Sequence, residues 1–168
     1  MIEHNNDKSV PQYFKSARMG INSIAVIFED YEQEIPVYDE HVQFADVIQF
    51  PGEVQPVYTL AGDIFRRGEL YISLKDDSML PAWGKHDLLL LKDVDQEVLV
   101  AGDQYYFVLG DKRELAGRLT YNETHFIITP ENSSYHQEQV PPDAVLRMYK
   151  IMGGLKQEEA LREREKEK

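Results

Sequence analysis

Lys75-Asp76-Asp77-Ser78-Met79-Leu80-Pro81 is the stretch on which the reading of this chain turns. It follows Leu70, Ile72 and Leu74, which alternate with Tyr71 and Ser73 as in a half-buried strand. Acidic residues and a proline close behind that strand predict a tight turn. A serine there presents its hydroxyl and two successive backbone N–H groups to one point, the arrangement a nucleophile with an oxyanion hole needs. Taken alone, a serine ahead of a turn proline is more commonly a hydrogen-bonding turn residue.

The residues on either side predict a sheet. Downstream, Leu88 to Leu91 reads as a strand buried on both faces. Tyr105 to Leu109, the turn Gly110-Asp111-Lys112-Arg113 and Leu115 to Leu119 read as a hairpin. His125 to Thr129 ends at Pro130, and Val145 to Met152 is a last strand ending at Gly153-Gly154. Upstream, Ile21, Ile24, Ala25, Phe28 and Tyr31 have helical spacing, closed by Ile35-Pro36. Some eight short strands without long helices between them predict a mainly β fold. Its expected form is a curled antiparallel or barrel-like sheet with a short N-terminal helix. The expected divisions are an arm with that helix over 1–34, a β domain over 35–155 and a charged tail over 156–168. The tail has only Ala160 and Leu161 as apolar residues, so it reads as solvated.

The totals narrow the function classes. A net charge of −12 argues against binding along a phosphate backbone, so no direct nucleic-acid contact is expected. The longest apolar run falls far short of the ~20 residues of a membrane span, and the first residues lack the character of a signal peptide; a cytoplasmic protein is expected. With no cysteine, thiolate chemistry and disulfides are excluded. Histidines 4, 41, 86, 125 and 136 show no ligand spacing, so neither a metal nor a cofactor is expected. Asp87 reads as a turn cap, and Trp83 as an aromatic packed over the turn.

Read in order, the segments resemble a known family. Ser78-Met79-Leu80-Pro81 precedes Gly84-Lys85-His86-Asp87 and an apolar strand, and Ala101-Gly102-Asp103 precedes another. Gly117-Arg118-Leu119 and then Thr129-Pro130-Glu131-Asn132-Ser133-Ser134-Tyr135 follow. This succession, over about Ile35 to Leu155, resembles the self-cleaving C-terminal domain of LexA-type and phage repressors, which is related to signal peptidases. The resemblance implies a Ser–Lys peptidase scaffold acting in the DNA-damage (SOS) response. Ser78 would stand at the nucleophile, Met79 would lend its backbone to the oxyanion hole, and Gly117 would stand where the family has its lysine. Glycine accepts no proton, and Lys112, Lys75 and Lys85 lie on turns.

Two further departures point the same way. The family's small cleavage pair falls on Gln43-Phe44, too bulky for a narrow cleft. A helix-turn-helix module needs on the order of 55–65 residues, more than precede Ile35. The expectation is therefore a catalytically silent regulatory domain that has lost self-cleavage and acts through protein contacts. It would be a homodimer joined along Val145 to Met152. Two alternatives are an active self-peptidase using Ser78 with a displaced lysine, and an antagonist forming mixed dimers with a helix-turn-helix repressor.

Overall fold

The computed structural model describes residues 34–61, 67–94 and 98–166. The chain divides into two units, residues 1–33 and 34–168. The helix expected over Ile21 to Tyr31, and the arm before it, lie outside the described residues.

Nine strands form one sheet: β1 (Glu34–Tyr38), β2 (Tyr58–Ala61), β3 (Leu70–Ser73), β4 (Leu88–Asp93), β5 (Gln104–Leu109), β6 (Glu114–Tyr121), β7 (Phe126–Thr129), β8 (Glu138–Val140) and β9 (Val145–Leu155). Among the described residues two α-helices accompany them, α1 (Phe44–Gln49) and α2 (Gln157–Lys166). The spatial order is β2-β1-β3-β4-β9-β5-β6-β7-β8. The fold is mainly β, with two differences from the expected form. β1 pairs with β3 in parallel, so the sheet is mixed. The end strands β2 and β8 do not pair with each other, so it is open rather than a closed barrel.

Alternation along β4 explains its unbroken run of leucines. Leu89 and Leu91 join Ile72, Leu74, Tyr106, Val108 and the α1 residue Phe44 in one core. Leu88 and Leu90 point the other way, into a core with Ile35, Val37, Leu60, Tyr71 and Ala160. Both faces of the sheet are covered here, and each fully buried leucine contributes about 1.5–3 kcal/mol. The same covering corrects the reading of β3: Tyr71 and Ser73 are buried along with Ile72, so the strand is not half-solvated. A third core, around Phe107, Leu119, Ile128 and Met148, lies under β5 to β7.

β9 departs most from expectation. It runs on through Gly153 and Gly154 to Leu155, with an irregularity where its pairing passes Leu90 and Leu91. Glycine is required at 154, because a Cβ there would run into the Leu88 carbonyl oxygen and come within 3.1 Å of the Trp83 ring. β9 is flanked by β4 on one side and β5 on the other. Pairing with β4 covers Tyr149 to Leu155 and pairing with β5 covers Val145 to Lys150, so the middle of the strand is flanked on both edges.

The tail is anchored at its start, while its described residues other than Ala160 are exposed. The Asp87 carboxylate accepts the Gly84 N–H at 2.9 Å, capping the turn, and also the Gln157 N–H at 2.9 Å and the Lys156 ammonium at 3.0 Å. Burial raises the Asp87 pKa, but these hydrogen bonds outweigh it and leave the group below its ordinary value. Lys156 also lies 4.9 Å from the centre of the Trp83 ring. One small apolar residue, Ala160, then suffices to seat α2 against the sheet. No helix among the described residues is long and apolar enough to cross a membrane.

Candidate functional site

The loop between β3 and β4 carries Ser78. Its base is closed by Leu74 and His86, the Leu74 N–H donating to the Asp87 carbonyl at 2.9 Å and the His86 N–H to the Leu74 carbonyl at 2.8 Å. Its tip is clasped by the segment after β7. The Asn132 N–H donates to the Ser78 carbonyl at 2.9 Å, and the Asn132 side-chain amide to the Asp77 carbonyl at 2.9 Å. The Asp77 N–H donates to the Tyr135 hydroxyl at 3.2 Å. Pro130 to Tyr135, legible in the sequence only as one segment in a succession, thus acts as the clamp that fixes the serine loop.

Ser78 is 6% exposed. Its N–H donates to the Asp76 carboxylate at 2.9 Å, and its carbonyl is taken by Asn132. The hydroxyl is neither hydrogen-bonded nor sealed, and it opens on a cavity of about 200 Å³. The Met79 side chain is fully buried, and its carbonyl accepts the Trp83 N–H at 3.0 Å. Of the two successive donors an oxyanion hole would use, the one on Ser78 is therefore spent on a carboxylate. That negative group would oppose a developing oxyanion.

β6 supplies the wall facing the serine: Glu114 and Ala116 line the recess beside it, and Leu115 joins them in the larger cavity. Gly117 is not among them. Alternation turns it to the other face, where a Cβ would sit 2.6 Å from the Thr129 carbonyl oxygen and 3.1 Å from Ile128. The motif register taken from Gly117-Arg118-Leu119 is thus one residue away from the side chain that looks at Ser78. Ala116, the residue that does, has no proton acceptor either.

Sequence reasoning missed the polar centre of this site, Glu114. Its side chain is 6% exposed, and its carboxylate meets the Lys75 ammonium at 2.8 Å. It also accepts the Tyr106 hydroxyl at 2.6 Å and the Phe44 N–H at 2.7 Å. Burial, and then the Glu114 charge, push the Tyr106 phenol well above its ordinary pKa, so it remains a donor. The available signal was period two: a strand that buries Ala116 places Glu114 on the same face.

Lys75 is the lysine that shares a small recess with Ser78 and Glu114. Its ammonium also donates to the Val42 carbonyl at 2.8 Å. The Lys75 ammonium is thus engaged by a carboxylate and a carbonyl, and no hydrogen bond joins it to the Ser78 hydroxyl among the described residues. Lys112 is exposed and paired with Asp46 at 2.9 Å, and Lys85 is exposed. Gln43-Phe44 does not present a bulky side chain to a cleft. Phe44 opens α1 and is buried edge-on against Tyr38 and Tyr149, with ring centres 5.6 and 5.5 Å apart.

Among the described residues, no group of three or more His, Asp or Glu is placed to hold a metal ion. The arrangement can bind and orient at a buried hydroxyl; His136 lines the same cavity, and no described side chain hydrogen-bonds the Ser78 hydroxyl as a general base would. No family model matches the chain, and no curated protein matches it.

Proposed function

We propose that this chain is a catalytically silent relative of the self-cleaving repressor domains, kept for protein contacts in transcriptional regulation in the cytoplasm. The order of its motifs supports the kinship. The observation that carries the silence is the wall opposite Ser78, which is Ala116 and a Glu114 already holding Lys75, Tyr106 and Phe44. A serine hydroxyl is a weak nucleophile until a neighbouring base accepts its proton. Contacts with a second copy, or with a helix-turn-helix repressor, would carry that regulatory role.

One observation favours a second reading, an active peptidase with a displaced base: Lys75 lines the same recess as Ser78. Labelling with a fluorophosphonate at pH ~8, followed by intact mass, separates the two. The silent reading expects no adduct on the wild type after incubation that fully labels a working serine peptidase. An adduct that disappears in both Ser78→Ala and Lys75→Met establishes the second reading instead.

A further inference from the structure

The cavity beside Ser78 has a composition that selects its ligand. Its floor is apolar, formed by Leu115, Ala116, Ile128 and Pro130, and Asp76 and Ser78 stand over it. Three carboxylates reach this cavity, but two are neutralised from outside it. Glu114 holds Lys75 at 2.8 Å, and Glu138 holds Arg113 at 3.1 Å. Asp76, which is exposed, accepts the Ser78 N–H and makes no ion pair among the described residues, although Lys75 lines the neighbouring recess with it. The wall therefore carries one carboxylate without an ion pair, and His136 lines the same cavity.

The second observation is the serine. Ser78 is more than nine-tenths buried, its backbone groups are both engaged, and its hydroxyl, which lines the cavity, has no hydrogen-bond partner among the described residues. A polar group in that condition asks for a hydrogen-bonding partner from the ligand. One charge, one hydroxyl and an apolar floor match a monocation on a hydrocarbon stem. The cavity, about 200 Å³, is smaller than the ~300 Å³ at which drug-sized ligand pockets begin, so the stem is short.

We infer that this cavity binds a primary alkylammonium group, carried by a free amine or by the lysine side chain of a partner polypeptide. The ammonium donates to the Asp76 carboxylate and the Ser78 hydroxyl, and the methylenes lie on Ala116, Ile128 and Pro130. The inference goes beyond the proposed regulatory role and does not depend on it, since an amine is held whether or not Ser78 ever reacts.

The test is titration of the full chain at pH ~8 with n-butylammonium, Nα-acetyl-lysine methylamide and n-butanol, followed by amide chemical shifts. Saturable shifts at residues 76–78, 116 and 128 are expected with the amines and not with the alcohol. Tighter binding of the lysine derivative assigns the site to a polypeptide, and tighter binding of butylammonium assigns it to a free amine. Asp76→Asn keeps an acceptor for the Ser78 N–H and is expected to weaken binding about tenfold, the loss of one charge-assisted hydrogen bond. Ala116→Leu fills the floor and is expected to abolish binding while the remaining shifts report an intact fold. The inference is overturned if neither amine gives saturable shifts, if butanol binds as well as butylammonium, or if Asp76→Asn binds unchanged.

Discussion

Glu114→Ala is expected to lower the free energy of unfolding by about 3–5 kcal/mol, the cost of breaking a buried charge pair by removing one partner. The carboxylate is almost wholly buried and satisfies three donors at once: Lys75, the Tyr106 hydroxyl and the Phe44 N–H. Removing it orphans the phenol of a tyrosine that is 3% exposed. It also frees the first turn of α1, whose Phe44 N–H has no other partner in the described structure. Glu114→Gln keeps an acceptor for one or two of these donors but loses the charge facing Lys75, so a smaller loss is expected. Urea unfolding followed by circular dichroism measures both. A Glu114→Ala variant within about 0.5 kcal/mol of wild type, as for a surface substitution, would mean that the carboxylate is solvated and the site is not organised around it.

The second large effect comes from packing alone. Gly154→Val is expected to cost about 3 kcal/mol, the upper range for overpacking a well-filled core. The obstacle to its Cβ is the Leu88 carbonyl oxygen, a backbone atom of the paired strand, with the Trp83 ring behind it at 3.1 Å. Neither can swing aside as the end of a flexible side chain would. The damage falls on the β4–β9 pairing at the centre of the sheet. Gly110→Ala serves as the control: its Cβ would lie 3.8 Å from the Ala144 carbonyl oxygen, and a change within about 0.5 kcal/mol is expected there. Thermal unfolding of the two variants side by side gives the comparison, and equal losses would contradict the packing account.

What could be read in the sequence was local. Four consecutive leucines announced a strand covered on both faces, and β4 is one. The turn Gly110 to Arg113 between two apolar runs announced the β5–β6 hairpin, and the two strands pair from Val108↔Glu114 to Gln104↔Arg118. What could not be read depended on partners distant in the chain. The charged tail read as solvated, and its described residues other than Ala160 are exposed, but nothing near Gln157 signals that Asp87, 70 residues away, accepts its N–H. Nothing within Val145 to Met152 says that β4 and β5 flank its middle. In the candidate site the serine loop was legible from its turn chemistry. The facing residue was missed by one position, and on a strand a shift of one moves a side chain to the opposite face. Gly117 was thus read where Ala116 stands. Glu114 and its three donors come from β3, β5 and α1 neighbourhoods, a convergence that only the folded chain displays.

The measurement that tests the account most directly is incubation of the full chain at pH ~10, where ordinary lysines lose a sizeable share of their protons, with intact mass followed over a day. Burial raises the pKa of Tyr106 and Tyr149 above the unfolded value of 10. Their stabilising share is therefore complete below that pH and declines above it, so the incubation goes no higher and circular dichroism confirms the fold. The account predicts one species at the mass of the uncut chain, for the wild type and for Ser78→Ala alike. Two fragments from the wild type that are absent from Ser78→Ala would show that Ser78 has a working base, and would contradict it.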